Sequence, residues 1–576
     1  MKKRIMFCIG LLLVTALIFG ACGSDDAPDA PAPVADSGTQ AADTTDTADT
    51  ADTPAPPAQV TDVSWFLSVG VVPSTWDQTQ YVMRRITEET GVTISAITPA
   101  EDPDTRLNLM IVSGDLPDMM TITNHTLIRE MVMAEMVWDI EGFFQTYRPD
   151  SHLIHGGFPA DIRERLEARD GGWYTIPSHK LSRGGQEIWG LHPSTEQLWL
   201  DARYRNNNGV VFNRDIMEMV GITEEELGTE SGFLDALQRV HDANLTIDGA
   251  AVIPFLPDGA AFRGGSWQGN GGALGTLSEM FGTMRVDADG NFQSGYFTEG
   301  YRHAVRFLNT AAQRGLIEAT HFTWDRAARE AACRAGRVFA FAGNTADTGF
   351  FFSDFDFFTP GVILPDTGAT PVLGINDTVG TGWLQTLIAK DTNVPEAVAS
   401  FLSFMTNTEG LIIGNYGEYG IDWETTPDGL FTRTEEGERK LDNSGVTGVF
   451  AFWAFHNQNW DRRHMYPGVD PGIQPQSARG AHPATYIYNN AALNQLPGGW
   501  IDADPQLFAI SNEIYTFAGT ALANIILQAT DDNFDQLYDE FLERLETLGL
   551  RQLDAHVNEA VQQNFIDMGY RLTPVN

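Results

Sequence analysis

Residues 62–122 read DVSWFLSVGVVPSTWDQTQYVMRRITEETGVTISAITPAEDPDTRLNLMIVSGDLPDMMTI, and this stretch decides the fold. It contains three short apolar runs typical of buried strands, separated by two segments long enough for a helix. Strands are therefore predicted at 62–72, 92–97 and 118–122. Ser74 and Thr75 can cap the first helix, and Gly91 is placed to end it. This alternation predicts an α/β protein with a mostly parallel sheet and helices on both faces.

Similar patterns recur further along the chain. Residues 209–222 are typical of a strand followed by a helix, and residues 336–349 of a strand that runs into a Gly/Asn loop. The segment 533–550 predicts an amphipathic helix packed on the body, because its apolar residues recur at a spacing of three or four with charges opposite. Those residues are Phe534, Leu537, Phe541, Leu545 and Leu548.

The carboxyl ends of the predicted strands indicate where a ligand would bind. In open parallel sheets ligands occupy the crevice outside these ends. Ser68 lies in the second half of the first predicted strand, residues 73–76 follow that strand, and residues 123–125 follow the third, so all of these are expected near a ligand site. We therefore expect Trp76 and Asn124 to contact a ligand.

Residues 86–120, ITEETGVTISAITPAEDPDTRLNLMIVSGDLPDMM, resemble the opening of the family 1 extracellular solute-binding proteins. These are the binding lipoproteins of ABC importers, and the resemblance is to the large subgroup found in Gram-positive bacteria. Further stretches resemble the family in the same order and extend the likeness over nearly all of 63–568. They are GGWYTIPS, VVFNRDIMEMVGI, AAQRGLIEATHF, NYGEYGIDWE and FDQLYDEFLERLETLGL.

The resemblance implies a periplasmic-binding-protein-like type II fold: two α/β lobes, a hinge, a cleft between the lobes that closes over a ligand, and extra C-terminal helices. Hinge closure around a ligand is the motion characteristic of such proteins. Each lobe is expected to be discontinuous in sequence. Lobe 1 is expected at 61–205 and 360–435, and lobe 2 with the C-terminal helices at 206–359 and 436–576.

The N-terminus has the order of an export signal over residues 1–21: basic residues, an uncharged apolar run, then small residues. Ile18–Cys22, IFGAC, resembles the lipobox of bacterial lipoproteins, in which the cysteine becomes the first mature residue and carries the lipid. Lipidation of Cys22 by acyl chains such as palmitate would hold the protein on the extracellular face of the cell membrane. The alternative is an ordinary secretory peptide cut near Ala21.

Residues 22–60 follow as an acidic segment rich in Asp, Ala, Thr and Pro, without basic or aromatic residues. Such a segment cannot bury enough apolar surface to fold, so a disordered tether is predicted. The whole chain carries a net charge of −41. That charge argues against a nucleic-acid partner, because phosphate binding depends on basic patches. With Cys8 in the signal and Cys22 lipidated, Cys333 is expected to be a lone packing residue in a monomeric protein.

Ligand contacts are expected from aromatic residues flanked by Gly, Asn, Gln or Ser, because aromatic faces stack on sugar rings while short polar groups bind hydroxyls. The resemblance adds the loop after a later strand, 344–347, and Arg can offer a planar donor fork near a lobe crossover. The further candidates are Arg203, Tyr204, Trp267, Gln268, Asn344, Asp347, Trp383 and Trp460.

One segment differs from the calcium loop that many relatives carry before an Ile-Pro dipeptide. Residues 242–254 read DANLTIDGAAVIP, which keeps alternating oxygen ligands but lacks the usual glycines and the closing acidic residue. A calcium site at Asp242, Asn244, Thr246 and Asp248 is one interpretation. A polar turn between a helix and a strand is the other.

These patterns predict a lipoprotein that captures a carbohydrate, an oligosaccharide above all, and delivers it to the membrane permease of an ABC importer. It is not expected to be an enzyme or to require a cofactor, since no catalytic motif stands out. Two alternatives remain: a secreted polysaccharide-degrading enzyme, and a binding protein of the same fold for a peptide or another solute.

Overall fold

A computed structural model describes residues 60–70, 72–99, 102–193, 208–258, 272–287, 289–324, 326–345, 348, 356–375, 382–465, 475–494, 501 and 504–568. Several sequence predictions lie outside these described residues. They are the export signal and tether up to residue 59, with Cys22, and the ligand candidates Arg203, Tyr204, Trp267, Gln268 and Asp347.

The strands are numbered in chain order. They are β1 Thr61–Leu67, β2 Val92–Ile97, β3 Met119–Ile122, β4 Ile176–Pro177, β5 Asn208–Asn213, β6 Thr246–Ile247, β7 Ala250–Ala251, β8 Ile253–Pro257, β9 Val338–Asn344, β10 Phe357–Phe358, β11 Val372–Ile375, β12 Gln385–Ile388, β13 Trp423–Thr425, β14 Phe431–Arg433 and β15 Tyr486–Asn489.

The α-helices are referred to by their bounds. They are Tyr81–Thr90, Pro103–Ser113, His125–Met133, Ile140–Tyr147, Ala160–Asp170, Arg183–Trp189, Arg214–Val220, Glu230–Ala243, Gly272–Met280, Glu299–Gln313, Arg326–Arg334, Pro395–Met405, Thr408–Tyr416, Glu435–Leu441, Ser444–Thr447, Gln458–His464, Pro475–Ala481, Ala491–Asn494, Pro505–Gln528, Phe534–Leu548 and Leu550–Met568. Short 3-10 helices lie at His152–Ile154, Glu224–Gly228, Gly295–Phe297, Ala319–Thr323 and Trp453–Phe455.

The first sheet has the strand order β2-β1-β3-β12-β4 among the described residues. β1 runs parallel to β2 and β3, as the sequence predicts, whereas β12 runs antiparallel to both β3 and β4. Alternate residues of β1 point to opposite faces, so that Trp65 packs into one apolar cluster and Phe66 into another. The sheet is therefore buried on both faces, which explains its nearly continuous apolar strands.

The first predicted helix starts later than expected. The helix is Tyr81–Thr90, and the backbone of Gln80 caps it, so Ser74 and Thr75 are not capping residues. Asp77 explains the delay, because its Oδ1 accepts hydrogen bonds from the backbone N and the hydroxyl of Thr79, a local turn that competes with the helix. The end of the helix is as predicted: Gly91 has a φ of 71°, in the left-handed region.

The second sheet has the strand order β10-β5-β9-β8. Only β8 and β9 are parallel; β5 is antiparallel to both β9 and β10. The prediction of a mostly parallel sheet is therefore wrong here. The prediction failed because β5 and β9 are adjacent in the sheet although more than a hundred residues separate them in sequence. A strand followed by a helix does not determine the relative direction of two strands so far apart in the chain.

Each sheet has its own apolar core. The first core contains Val63, Trp65, Phe401 and Phe455, and the second contains Phe212, Phe255, Phe307, Leu522 and Leu553, each with its neighbours.

The residues that pack into each core place the lobe boundaries elsewhere than at the expected residues 360 and 435. Ile363 lies in the second core, and β10 pairs with β5, so the chain does not return to the first sheet at residue 360. Conversely, Val449 and Phe452 lie in the first core, so that lobe continues beyond residue 435. The sequence offered no composition change at either crossing.

The C-terminal helices complete the second core. Phe534, Tyr538, Phe541 and Leu545 are buried on one face of the helix Phe534–Leu548, which confirms the predicted amphipathic helix. Asn309 Nδ2 donates hydrogen bonds to the backbone oxygens of three residues at the end of the helix Pro505–Gln528 and just beyond it. No helix in the described part of the chain is long and apolar enough to cross a membrane.

Candidate ligand-binding site

Strand directions bring several segments to one edge of the first sheet. β1 and β3 end there, at Leu67 and Ile122, and antiparallel β12 begins there, because Gln385 pairs with Ile122. β4 runs antiparallel to β12 and also ends there, since Pro177 pairs with Gln385. This is the edge at which sheets with parallel strands bind ligands.

Five rings form what we call the edge cluster: His179, Trp383, Phe450, Trp453 and His456. His179 is at its centre, with ring centroids 5.7 Å from Trp383, 5.5 Å from Trp453 and 4.6 Å from His456. Phe450 packs against Trp453 at 5.0 Å and against His456 at 5.8 Å. The cluster thus joins the ends of β4 and β12 to residues 450–456.

Trp383 is the accessible member of the edge cluster. It is 44% exposed, although it lies two residues before β12 and the next residue, Leu384, is buried. A large exposed indole supported from behind by other rings can stack on the apolar face of a sugar ring. Its place is at the edge expected for ligand contacts, and its contact with a ligand stays a prediction.

Hydrogen bonds fix the backbone beneath the cluster. Ser178 N donates to Leu384 O at 2.9 Å, and Leu384 N donates to Ser178 Oγ at 3.0 Å. His179 has a φ of 52°, a left-handed conformation that is rare for a residue with a side chain. Its N–H donates to His456 O at 2.7 Å, which ties the two segments together. The cluster is therefore a rigid surface.

Burial disfavours the protonated forms of both histidines in the edge cluster, although Asp461 Oδ2 lies 3.3 Å from His456 Nε2. Burial, reinforced by His456 and Lys180, holds the pKa of His179 well below its ordinary value. Burial, reinforced by Arg462 and Lys180, lowers the pKa of His456 to about 3. Burial also lowers the pKa of Lys180 to about 7, and its Nζ donates to Pro177 O at 2.8 Å. A surface of indole and neutral imidazole rings suits an uncharged ligand.

Ser68 supplies a polar group at the same edge. Its Oγ is buried and has no hydrogen-bond partner among the described residues. A buried hydroxyl without a partner is uncommon and calls for water or a ligand group.

Two of the predicted contact residues, Asn124 and Trp76, make structural contacts in this protein. Asn124 caps the helix His125–Met133: its Oδ1 accepts from the backbone N of Thr126 and Leu127, and its Nδ2 donates to Asp104. Trp76 Nε1 donates to Thr87 Oγ1 at 3.0 Å, and the indole packs edge-on against Phe452. Trp76 therefore lies beside β2 and packs on Phe452, which is between Phe450 and Trp453 in sequence, but it is not one of the five rings of the edge cluster.

Trp460 is a core residue, so its prediction as a ligand contact is wrong for this conformation. Its side chain has no exposed surface and packs against Tyr416, Phe431 and His464. The polar neighbours in HNQNWDRR suggested a loop, but they form the helix Gln458–His464, whose inner face holds the indole.

At the second sheet, Asn344 ends β9 beside Asp258, which follows β8. Asp258 Oδ1 is paired with Arg329 Nη1 at 3.1 Å, and the backbone N of Asn344 lies 3.5 Å from the other carboxylate oxygen. Asn344 is half-buried at this carboxyl edge, as predicted. Trp267, Gln268 and Asp347 follow the same two strands in sequence but are not among the described residues.

The segment proposed for calcium forms a β-hairpin. The helix Glu230–Ala243 ends, Asn244 adopts the left-handed conformation, and β6 and β7 then pair around Asp248 and Gly249. Both turn residues have positive φ, 51° and 78°, as in the tight turns favoured by Asp-Gly.

Two of the proposed calcium ligands make local hydrogen bonds. Asp242 Oδ1 accepts from Gln238, while Asn244 Nδ2 donates to the backbone oxygen of Asp242. No group of three His, Cys, Asp or Glu side chains that could hold a metal ion occurs in the described ranges. The polar-turn interpretation fits this geometry, and calcium binding at Asp242–Asp248 stays a prediction.

Sequence reasoning missed most of the edge cluster. His179 follows GGWYTIPS, a stretch that carries the family resemblance, and a polar residue directly after a strand was the available signal. Phe450, Trp453 and His456 lie in VFAFWAFH, which is indistinguishable from a core segment without knowledge of the β4–β12 pairing.

The comparisons with known proteins agree with this architecture. No protein-family model matches the chain. A curated relative, the fructooligosaccharide ABC transporter substrate-binding protein FusA of Streptococcus pneumoniae, is 22% identical over 246 residues, which are 42% of this chain and 42% of FusA. The matched region therefore spans less than half of that relative.

Solved structures match over much more of the chain. FusA in complex with kestose has a TM-score of 0.63 and 16% identity, covering 88% of this chain and 100% of that one. An HMO-binding solute-binding protein associated with an ABC transporter, from Bifidobacterium longum infantis, has a TM-score of 0.57 and 11% identity, covering 87% of this chain and 98% of that one. The chain therefore has the fold of ABC-transporter substrate-binding proteins, which confirms the predicted fold class.

Proposed function

We propose that this protein is the extracellular substrate-binding lipoprotein of an ABC importer, and that it captures an oligosaccharide. The observation that carries the proposal is the exposed indole of Trp383, supported by His179 and Trp453, at the ligand edge of a solute-binding fold. The fold supplies the class of protein, and the edge cluster supplies the chemistry.

The edge cluster would bind a sugar in two ways. The indole of Trp383 covers the C–H face of a ring, and fixed polar groups such as Ser68 Oγ satisfy hydroxyls. Because the backbone beneath the rings is held by hydrogen bonds, little conformational entropy is lost on binding. Similar proteins support a carbohydrate ligand: FusA has been solved with kestose, and the N-glycan transport protein NgtS of S. pneumoniae with Man5GlcNAc.

The proposal includes two further points. The protein binds the oligosaccharide without changing it chemically, and it delivers the oligosaccharide to a membrane permease as a monomer. Lipidation at Cys22 would keep the protein at the cell surface, where a permease could receive the ligand. Metabolic palmitate labelling of the wild-type chain and of Cys22→Ala tests the anchor. An unlabelled, freely released wild type would contradict it.

A binding experiment tests the function. We expect kestose or Man5GlcNAc to raise the melting temperature of the full-length protein, because a ligand bound only by the folded state adds to its stability. Trp383→Ala should weaken binding about 30-fold, as the loss of a stacked aromatic costs roughly 2 kcal/mol. Tyr419→Ala is the matched control, since Tyr419 is also an exposed aromatic, 62% accessible, but lies outside the edge cluster.

Two results would overturn the proposal. If wild type and Trp383→Ala bind the saccharide with equal affinity, the edge cluster is not part of the binding site. Release of reducing ends or unsaturated products from a glycan panel would instead support the alternative, a polysaccharide-degrading enzyme.

A further inference from the structure

An open groove follows the outer edge of the first sheet, and it is distinct from the edge cluster. The groove has a volume of about 440 Å³ and runs along β2, with residues 74–76 as its other wall. β2 and β4 are the opposite edges of the sheet, four strand spacings or about 19 Å apart. The groove is nearer to residues 450–456, because Trp76 packs against Phe452, but none of the five rings of the edge cluster lines it.

The loop wall of the groove carries unused hydroxyl groups. Ser74 and Thr75 are exposed and do not cap the following helix. Neither hydroxyl has a hydrogen-bond partner among the described residues, although both residues line the groove. They are therefore free to bind the hydroxyls of a ligand.

The strand wall is polar and pre-organised. Asp62 accepts a hydrogen bond from Thr93 Oγ1 at 2.9 Å and another from Ser95 Oγ at 2.7 Å, one on each carboxylate oxygen. Among the described residues that line this groove, Asp62 alone is charged. Its negative charge disfavours an anionic occupant, and its remaining lone pairs can accept hydroxyl protons.

Trp76 gives the groove an aromatic surface. The indole is anchored at Nε1 by Thr87 and packs against Phe452, so its orientation is fixed before any ligand arrives. The combination of one fixed indole, several hydroxyls and one carboxylate is typical of sites that bind uncharged sugars. The volume lies in the range of small-ligand sites, about 300–1,000 Å³.

We propose that the β2 groove is a second carbohydrate-binding site, which takes a short uncharged saccharide independently of the edge cluster. Such a site would hold a further part of a long glycan or a second molecule at the surface of the lobe. It is an addition to the function proposed above and does not depend on Trp383.

Fluorine NMR of the full-length chain labelled with 5-fluorotryptophan can observe both sites at once. The signals of Trp76 and Trp383 are assigned by Trp76→Phe and Trp383→Phe, and kestose and Man5GlcNAc are titrated separately. We expect the Trp76 signal to shift along its own binding curve, with a midpoint different from that of Trp383.

Two variants locate the second curve in the groove. Ser95→Leu fills the groove and should weaken the response of Trp76 about tenfold, a loss of 1.4 kcal/mol, while leaving Trp383 unchanged. Ser113→Leu is the matched control, because Ser113 is an exposed serine outside the groove. It should change neither curve.

The possible failures are distinguishable. A response at Trp383 with none at Trp76, or a Trp76 curve that follows Trp383 and ignores Ser95→Leu, overturns the second site and leaves the proposed function intact. A response at Trp76 alone supports the groove and contradicts the edge cluster. An extended hexapeptide of Thr and Val tests whether the groove along the edge strand β2 binds a peptide instead. If this peptide shifts the Trp76 signal and neither saccharide does, the groove binds extended peptide and the proposal is wrong. If neither saccharide shifts either signal, both proposals are overturned.

Discussion

Gly382 lies against the backbone of Ser178 so closely that a Cβ on Gly382 would be 2.0 Å from the Ser178 oxygen. Gly382 has a φ of 81°, and it immediately precedes Trp383. This close approach lets the loop before β12 pass over the end of β4, so the position of the exposed indole depends on the absence of a side chain at residue 382.

Gly382→Ala should therefore lower both stability and saccharide affinity. We expect the free energy of unfolding to fall by about 3 kcal/mol, from the left-handed backbone together with the steric overlap. Gly420→Ala separates the two causes, because Gly420 has a similar φ of 78° but open space around it. That control should lose only about 1 kcal/mol and keep its affinity. Equal losses in the two variants, measured by urea unfolding, would contradict a packing role for Gly382.

Burial of Lys180 should make the free energy of unfolding increase at alkaline pH. Burial lowers its pKa in the folded state to about 7, whereas an unfolded lysine titrates near 10.4. Between these values the unfolded chain binds more protons, so the free energy of unfolding rises as the pH increases from about 7 to about 10. Below pH 7 the cost of burying the charge is fully present and constant.

Lys180→Met should remove this rise, and its stability relative to wild type should be most favourable at or below pH 7. Lys390→Met serves as the control, because Lys390 is an exposed lysine and its replacement should leave the rise unchanged. Urea unfolding at several pH values measures the slope. A Lys180→Met protein that keeps the wild-type slope would show that another group titrates.

Asn124→Ala should affect the fold and leave ligand binding unchanged. The side chain caps the helix His125–Met133, so its removal is expected to cost about 1 kcal/mol of unfolding free energy. Asn124→Ser retains a capping oxygen and should recover most of that loss. A tenfold fall in kestose affinity in Asn124→Ala, with stability unchanged, would restore the sequence prediction that Asn124 contacts the ligand.

Calcium binding at the hairpin can be tested by melting. Since β6 and β7 form a tight turn, and Asp242 and Asn244 make local hydrogen bonds, we expect the same melting temperature in EDTA and in calcium chloride. A higher melting temperature in calcium that is lost in Asp248→Ala would show that a metal binds there after all.

The sequence predicted those parts of the fold that depend on local patterns. The strand–helix alternation of residues 62–122, the stop at Gly91 and the amphipathic helix Phe534–Leu548 all follow from periodicity and capping chemistry within one segment. The start of the first helix was misplaced because a local Asp77–Thr79 turn competed with two plausible caps.

The site was predicted less well, because remote pairings assemble it. Trp383 follows from its Gly-rich surroundings, but its contact with His179 depends on the pairing of β4 with β12, two segments about two hundred residues apart. Trp460 was misjudged for the related reason that polar neighbours on a helix say nothing about which face packs inward.

Each of the two cores joins residues that are far apart in sequence, and this affects how the chain folds. The first core joins Val63 to Phe455, and the second joins Val210 to Leu553. During synthesis neither core can be completed until most of the polypeptide has emerged, and bringing such distant partners together costs loop-closure entropy before any contact rewards it. For the exported lipoprotein proposed above, slow and late folding of this kind would keep the chain extended while it passes through an export channel.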